Sequence, residues 1–289
     1  MTLLWKPDDR LEDFVLHPTD LSEASERAFH HALAIALRQS AQFTLLHAIG
    51  RRSTDNWTDF PSVREKVAQW RAAGTLDGLE DRARQTSISK IEVDIRDPVA
   101  ASLQYIARNP VDLLVLATQG RGGLSRLIRP SRAEQLAREA KVSTLFVPHD
   151  GRPFVDADSG EVSLRKILVP VDPGIDPRAV MVRAVRSAAL LDDPTLEITL
   201  LHVGDGEDTT MEDLPHLPFC RWSFVRRAGD VVENILGVAE EMRVDAIYMA
   251  TAWAKSGFGR GGHGVTERVL AGAMCPVAAV PVVETHRTG

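Results

Sequence analysis

Short apolar runs alternate with amphipathic segments along the whole chain. The segments between the runs carry apolar residues at helical spacing, which is typical of helices packed on a sheet. Strands that are apolar throughout and alternate with helices form parallel sheets covered on both faces. The pattern therefore predicts an α/β fold. In the first half of the chain it predicts strands over 14–18, 43–48, 91–95, 113–118 and 144–148, and helices over 22–40, 62–87, 98–108 and 131–140, of which the helix over 62–87 is interrupted near Gly74.

The same order of elements recurs in the second half, so the chain is an internal repeat. Strands are predicted over 166–170, 197–203, 222–226, 246–251 and 277–281. One interval differs between the copies. His47 and Asp97 are 50 positions apart, whereas His202 and Asp230 are 28 positions apart. The second copy is therefore expected to lack most of the helix over 62–87.

The segment 151–164 is polar and rich in turn-forming residues, as expected of a boundary between domains. We interpret it as a linker between one domain over 1–150 and another over 165–289. A chain of 289 residues is long enough for two domains, since one domain takes about 100–200 residues.

Charge and composition narrow the class of protein. The formal net charge of −6 gives no general attraction to nucleic acid or to an anionic membrane. The two cysteines, Cys220 and Cys275, have no metal-type spacing and are interpreted as incidental reduced thiols. No apolar run approaches the roughly 20 residues of a membrane span, and the first residues do not resemble a signal peptide. We expect a cytoplasmic protein.

Candidate chemistry lies where the strand order of an open parallel sheet reverses, beyond the carboxyl ends of the strands. In the first half, Pro18-Thr19-Asp20 and the glycine-containing segment 117–123 meet that condition. Backbone N–H groups beside glycines can face an anion, and Ser131 begins the next helix, another anion-binding position. Asp20 suits hydrogen bonds to a base or sugar. Four arginines could balance phosphate charge: Arg121, Arg126, Arg129 and Arg132.

Each of these features also has a plain structural interpretation. Asp20 could only cap a helix, the glycines could only form a tight turn, and the arginines could only be a solvated face. The adjacent His30 and His31 are interpreted as a surface pair, and His47 and His202 as structural residues at matching strand ends. We find no catalytic triad, no paired carboxylates and no metal spacing, so we predict that the protein is not an enzyme. His263, in a glycine-rich segment, has no evident partner.

Several of these segments resemble the universal stress protein family. In the first half the resemblance lies in Val15–Ser25 (VLHPTDLSEAS), Thr44–Ala48 (TLLHA) and Asp112–Gly123 (DLLVLATQGRGG). In the second half it lies in Ile167–Asp172, Leu200–Val203, Val265–Leu270 and Cys275–Val277. The order and spacing of four motifs recur in each copy. The chain therefore resembles a tandem universal stress protein over nearly its whole length.

The resemblance implies two doubly wound, Rossmann-like domains with five-stranded parallel sheets of order 3-2-1-4-5, paired with each other through their last strands. Some family members bind ATP through Gly, two residues, Gly, nine residues, Gly and then Ser or Thr, and others lack this pattern and do not. The resemblance places the candidate nucleotide-binding residues in the first domain, at Pro18, Thr19, Asp20, Ala48, Leu116, Ala117, Gly120, Arg121, Gly122 and Ser131.

The chain departs from that nucleotide pattern in both copies. In the first, the pattern falls on Ala117, Gly120, Pro130 and Ser131. Pro130 removes a backbone N–H that would donate to phosphate. One lost charge-assisted donor costs about 1.5–3 kcal/mol, or about tenfold to a hundredfold in affinity.

In the second copy the pattern falls on Ala250, Trp253, His263 and Gly264. Trp253 stands where the family has a glycine that lets the backbone approach the nucleotide. We predict that this site does not bind ATP in the family manner.

Three functions follow as hypotheses. The first is a non-enzymatic stress-response module whose first domain binds an adenine nucleotide, ATP or AMP, weakly. The second is a ligand-free interaction protein in which both sites are degenerate. A third, slow hydrolysis of bound ATP, lacks a clear general base or metal cage. The expected partners are the other domain of the same chain and the nucleotide, with no nucleic acid and no membrane; a homodimer is left open.

Overall fold

The computed structural model describes residues 12–49, 57, 60–118, 132–172, 175–193, 195–204, 214, 216–251 and 264–282. The first half consists of β1 (Phe14–Thr19), α1 (Glu23–Gln39), β2 (Gln42–Ala48), α2 (Val63–Ala72), α3 (Glu80–Gln85), β3 (Ile88–Val93), α4 (Pro98–Ile106), β4 (Leu113–Thr118), α5 (Arg132–Ala140) and β5 (Ser143–Pro148). The second half consists of β6 (Lys166–Val171), α6 (Arg178–Arg186) with a 3₁₀ turn over Ser187–Leu190, β7 (Leu196–Val203), β8 (Cys220–Arg227), α7 (Val231–Glu241), β9 (Ala246–Thr251), α8 (Val265–Gly272) and β10 (Val277–Pro281). No helix in these ranges is both long and apolar enough to cross a membrane.

All ten strands form one sheet, in the order β3-β2-β1-β4-β5-β10-β9-β6-β7-β8. Each half therefore has the predicted order 3-2-1-4-5, and its strands are parallel. The two halves meet at β5 and β10, which run antiparallel with Ala278 opposite Leu145. The predicted α/β fold with doubly wound halves is confirmed.

The helix predicted over 62–87, with an interruption near Gly74, is two helices, α2 and α3, and the chain between them adopts positive φ at Gly74 (+80°) and Gly78 (+79°). Positive φ ends a helix and suits glycine. Strand β3 begins at Ile88 rather than at the predicted position 91, because it pairs with β2 from Phe43 opposite Ile88 to Ala48 opposite Val93. Strand pairing, rather than the local apolar run, sets its start.

Aspartates recurring in both halves fix the same connections. The Asp112 Oδ2 accepts from the Phe14 N–H (3.0 Å), and the Asp245 Oδ2 accepts from the Lys166 N–H (2.7 Å). Each carboxylate thus ties the start of the fourth strand of its half to the start of the first strand. Asp97 and Asp230 cap helices α4 and α7. A side-chain cap of this kind contributes about 1 kcal/mol.

The segment 151–164 is packed against the first half rather than lying free as a polar linker. Phe154, Val155, Val162 and Leu164 are buried, and Val155 pairs with Val162 in an isolated antiparallel bridge. The buried Trp70 of α2 donates its Nε1–H to the Ala157 carbonyl (3.0 Å). Four apolar residues within a turn-rich segment therefore join the same buried cluster as α1 and Trp70 of α2.

This packing overturns the interpretation of His30 and His31 as a surface pair, because both are buried. The His31 Nδ1–H donates to the Arg27 carbonyl (2.7 Å), and the Phe154 N–H donates to the His31 Nε2 (3.3 Å). The Phe154 ring lies edge-on to His31, with 4.5 Å between centroids. The histidines look exposed on α1 alone, but elements distant in sequence cover them.

Ion pairs also join the two halves. Arg38 contacts Asp192 (2.7 Å) and Arg138 contacts Glu267 (3.0 Å). Glu12 is buried against Arg183. Burial raises the pKa of Glu12 to about 7, although the Arg183 guanidinium lowers it. Desolvation therefore outweighs the ion pair at this site.

The described residues between β7 and β8, which are 204, 214 and 216–219, contain no helix. The shorter interval in the second half is consistent with this, since the first half has α2 and α3 at the same place.

Candidate functional site

A cleft of about 550 Å³ opens at the carboxyl ends of β1 and β4, where the strand order of the first half reverses. We call it the first cleft. Six predicted site residues line it together: Pro18, Thr19, Asp20, Ala48, Leu116 and Ala117. The other four, Gly120, Arg121, Gly122 and Ser131, lie outside the described residues. Topology brings the six together, because the ends of neighbouring parallel strands share one sheet edge.

Asp20 is held by the start of α1. Its Oδ1 accepts from the hydroxyl groups of Ser22 (2.6 Å) and Ser25 (2.7 Å) and from the Ser22 N–H (3.1 Å). Ser22, rather than Asp20, is the N-cap of α1. No described residue donates to the Asp20 Oδ2. That oxygen can therefore accept a hydrogen bond from a ligand while Oδ1 stays anchored.

The same contacts keep Asp20 ionised. Partial burial raises its pKa, but the hydrogen bonds from Ser22 and Ser25 outweigh burial, so the net pKa lies below the ordinary value. A carboxylate with a lowered pKa is a good hydrogen-bond acceptor and a weak base. Asp20 is therefore suited to binding rather than to proton abstraction.

Helices α4 and α5 supply a wall of the first cleft that the sequence prediction did not include. Pro98, Val99 and Ser102 come from α4, and Arg132, Ala133 and Leu136 come from α5. Arg132 had been predicted only as one of four phosphate-balancing arginines; the other three lie outside the described residues. The sequence could have indicated this wall through the positions of the two helices, since both begin at the edge of the sheet where the strands end.

A second, smaller cleft of about 310 Å³ lies at the equivalent place in the second half, and we call it the second cleft. Pro170, Val171 and Asp172 replace Pro18, Thr19 and Asp20, and Met249, Ala250 and Thr251 replace Leu116, Ala117 and Thr118. The duplication has therefore reproduced the strand-end part of the site.

The helix walls of the two clefts differ. Ser102 is replaced by Ile235, and Arg132 is replaced by Val265. Glu267 also lines the second cleft. Among the described lining residues, the first cleft thus has one acid and one base, whereas the second has two acids and no base. The described wall of the first cleft therefore carries a positive charge, Arg132, that the described wall of the second lacks.

The strand-end histidines have structural contacts. The His47 Nδ1–H donates to the Thr19 carbonyl (2.9 Å), and His202 Nδ1 lies 3.5 Å from the Val171 carbonyl. Both contacts join the second strand to the end of the first. His17 is buried, its Nδ1–H donates to the Val115 carbonyl (2.8 Å), and burial lowers its pKa to about 4. These rings hold neighbouring strands together.

Other candidate chemistry in the described residues is limited. Cys220 and Cys275 are both free thiols, and burial raises the pKa of each to about 12. Within the described ranges, no group of three or more His, Cys, Asp or Glu residues is placed to hold a metal ion. His263 lies outside those ranges.

The first half of the chain, which contains the first cleft, is similar to a known protein family. The sequence model of the universal stress protein family matches residues 14–148. A universal stress protein of Staphylococcus epidermidis is 25% identical over 149 residues, which are 49% of this chain and 90% of that protein. One from Staphylococcus haemolyticus is also 25% identical over 149 residues, with the same coverage.

Solved structures resemble the whole fold. A universal stress protein from Archaeoglobus fulgidus has a TM-score of 0.62 at 18% identity, over 93% of this chain and 98% of that one. A universal stress protein structure from Pseudomonas aeruginosa has a TM-score of 0.53 at 14% identity, over 93% of each chain. The strand order, the duplicated strand ends and these matches agree. Residues 14–148 match the universal stress protein family, and the second half of the chain repeats the same fold.

Proposed function

We propose that the protein is a non-enzymatic stress-response module whose first cleft binds an adenine nucleotide, ATP or AMP, weakly. The proposal rests mainly on one observation: Arg132 lines the first cleft opposite the strand ends that position Asp20. A guanidinium at the start of a helix complements a phosphate, because the helix N-terminus adds positive potential to a bidentate donor.

Other residues of the first cleft fit the base and the ribose of such a ligand. The Asp20 Oδ2 is available to accept a hydrogen bond from a ribose hydroxyl or an adenine amine. Ala48, Leu116 and Leu46 line the same cleft and provide apolar surface for a base. At about 550 Å³ the first cleft is within the usual range for small-ligand sites, which is about 300–1,000 Å³.

No catalytic role is proposed. The lowered pKa of Asp20 makes it a poor general base for activating water. Slow ATP hydrolysis would need a base or metal supplied from elsewhere. Metal-dependent phosphate release that disappears in Asp20→Ala would require this view to be revised.

The competing proposal is a ligand-free interaction protein. It is favoured by Ala117 and Pro130, which replace two glycines of the family's ATP-binding pattern. On either proposal the two halves act as one unit through the β5–β10 contact, and pairing of two chains stays a prediction. Nucleotide release on denaturation of the purified protein, identified by mass spectrometry, would exclude the ligand-free alternative.

Replacing Arg132 with valine, the residue found at this place in the second cleft, is expected to weaken ATP binding about tenfold or more. The reason is the loss of a charge-assisted contact of about 1.5–3 kcal/mol. Isothermal titration of the full chain with ATP, ADP and AMP measures the change. Pro130→Gly, which restores a backbone donor, is expected to strengthen binding.

The matched control is Val265→Arg in the second cleft, which adds the same guanidinium to a site with two acids and is expected to leave ATP affinity unchanged. Two results would contradict the nucleotide proposal. One is the absence of binding heat in both the parent chain and Pro130→Gly. The other is ATP binding that Arg132→Val does not weaken.

A further inference from the structure

Strand β3 lies at one end of the sheet and, among the strands that the structure describes, pairs only with β2. The Val93 carbonyl accepts from the Ile49 N–H (2.9 Å), so Val93 and every second residue before it face β2. Alternation along the strand then points the backbone N–H and C=O groups of Ile88, Lys90 and Glu92 away from the sheet. An edge with such groups can pair with a strand of another chain.

Two of these outward positions carry exposed side chains of opposite charge, Lys90 and Glu92. Both side chains contact Trp57, which lies on the sheet face that they share. The Lys90 Nζ is 4.7 Å from the centroid of the indole, and the Glu92 Oε1 accepts from the Trp57 Nε1–H. These contacts leave the Glu92 Oε2 and the N–H groups of the Lys90 ammonium without a hydrogen bond to any described residue. Each side chain is therefore held beside the edge and still has polar atoms to offer.

One antiparallel register of two β3 strands suits both the backbone and the charges. With Ile91 of one chain opposite Ile91 of the other, Lys90 of each chain lies opposite Glu92 of its partner. Both residues have outward backbone groups, so each such pair exchanges N–H···O=C bonds as an antiparallel ladder requires. Opposite charges that face each other across strands stabilise the pairing, and like charges destabilise it. The neighbouring register, which places Lys90 opposite Lys90, is therefore disfavoured.

The opposite face of β3 and the other edge of the sheet favour the same pairing. Ile91 is half-buried on the face away from Trp57, and the register brings two Ile91 side chains together at a non-hydrogen-bonded pair, where side chains lie closest. At the other edge, β8 carries Arg221, Arg226 and Arg227 and no acid within the strand. Two β8 strands would bring like charges together, so β3 is the edge that matches itself.

We infer that two copies of this chain pair through β3, antiparallel and two-fold symmetric, with Lys90 of each copy against Glu92 of the other. The same surface serves both copies, so the contact closes after two chains. Strand β3 has six residues, so the contact buries little area and the dimer is a weak one that forms at micromolar to millimolar concentration. The inference does not depend on nucleotide binding in the first cleft.

Sedimentation equilibrium of the full chain from about 10 µM to about 1 mM tests the pairing, and the parent chain is expected to pass from monomer to dimer in this range. Lys90→Glu turns both attractive pairs into repulsive ones and is expected to weaken dimerisation about tenfold or more. Adding Glu92→Lys makes the facing charges opposite again and is expected to restore dimerisation to within about threefold of the parent chain. Because Glu92→Lys itself removes the acceptor of the Trp57 Nε1–H, this recovery cannot come from a repaired contact with Trp57.

The matched control is Arg221→Glu on β8, which changes the net charge by the same amount at the other edge and is expected to leave dimerisation unchanged. Lys90→Pro removes an outward N–H that β2 does not use, which an edge strand tolerates, and is expected to abolish the dimer. Circular dichroism verifies that each variant folds. A parent chain that stays monomeric at about 1 mM would overturn the inference. A dimer that Lys90→Glu leaves intact, or that Arg221→Glu weakens as much, would also overturn it.

Discussion

Trp70→Ala is expected to lower the free energy of unfolding by about 3–5 kcal/mol, the usual cost of truncating a fully buried aromatic side chain. Trp70 is 0% exposed and its Nε1–H donates to the Ala157 carbonyl. It also lies against His30, with 6.2 Å between ring centroids. The substitution removes the buried one of the contacts that join the segment 151–164 to α2, and leaves the exposed contacts of Lys66 and Gln69. Urea unfolding followed by circular dichroism measures the change.

Gly160 provides a sharp control for this packing. It has φ +77°, and a Cβ added there would lie 2.3 Å from the Trp70 Cδ2. Gly160→Ala is therefore expected to cost about 2–5 kcal/mol in the parent chain, from left-handed strain and overpacking together. In a Trp70→Ala background only the strain of about 1–2 kcal/mol should remain. Equal costs in the two backgrounds would show that the indole does not cover Gly160.

Acid is expected to destabilise the protein strongly between about pH 6.5 and pH 4. Burial lowers the pKa of His17, His30 and His31 to about 4 each, from an ordinary value of 6.5. The unfolded chain therefore binds more protons in this window, and stability falls as pH falls. Each histidine contributes up to about 1.4 kcal/mol per pH unit. Urea unfolding at a series of pH values measures the slope.

Glu12 acts in the opposite direction. Its folded pKa is raised to about 7 from 4.5, so its contribution is present at low pH and is lost as pH rises through about 7. On acidification from neutral pH, the protonation of Glu12 offsets the loss of stability caused by about one of the three histidines. Glu12→Gln removes the offset and is expected to steepen the loss of stability with acid.

A single histidine can be removed without losing a hydrogen bond. The His30 Nε2 has no partner among the described residues, and the ring lies beside Phe29 and Trp70. His30→Phe keeps an aromatic ring there and is expected to reduce the slope by about 1.4 kcal/mol per pH unit. A stability that does not change between pH 6.5 and pH 4.5 in the parent chain would contradict the burial of these histidines.

The succession of strands and helices could be predicted from the sequence because the apolar runs are strong and occur twice, whereas the strand order 3-2-1-4-5 was implied by the resemblance to the universal stress protein family. The repeated spacing from Asp97 to Asp112 and from Asp230 to Asp245 reflects two connections made in both halves, namely a helix cap and a tie to the first strand. Local pattern is enough for such features, since each depends on residues at fixed offsets within one element.

Burial of His30 and His31 could not be predicted in that way. It depends on Phe154, which is 123 positions from His31, and on Trp70 of α2. The same long-range packing buries apolar side chains of the predicted linker 151–164. Periodicity reports which face of a helix is apolar, but not which distant segment covers a polar residue on it.

The candidate site also contains residues that could be predicted from local pattern and residues that depend on long-range packing. The residues at the strand ends, such as Asp20 and Ala117, could be predicted because the topology alone places them at one edge. The contribution of Ser102 and Leu136 depends on how α4 and α5 lean over that edge, which the sequence does not specify. The contrast between Arg132 and Val265, on which the nucleotide proposal relies, became visible when the two clefts were compared position by position.

Crystals of the full chain grown with ATP test the central claim, that two copies of one fold have diverged in what they bind. We expect nucleotide density in the first cleft, with the phosphates near Arg132 and the base or ribose within hydrogen-bond distance of the Asp20 Oδ2, and none in the second cleft. Nucleotide in the second cleft, or in both clefts at equal occupancy, would contradict the claim.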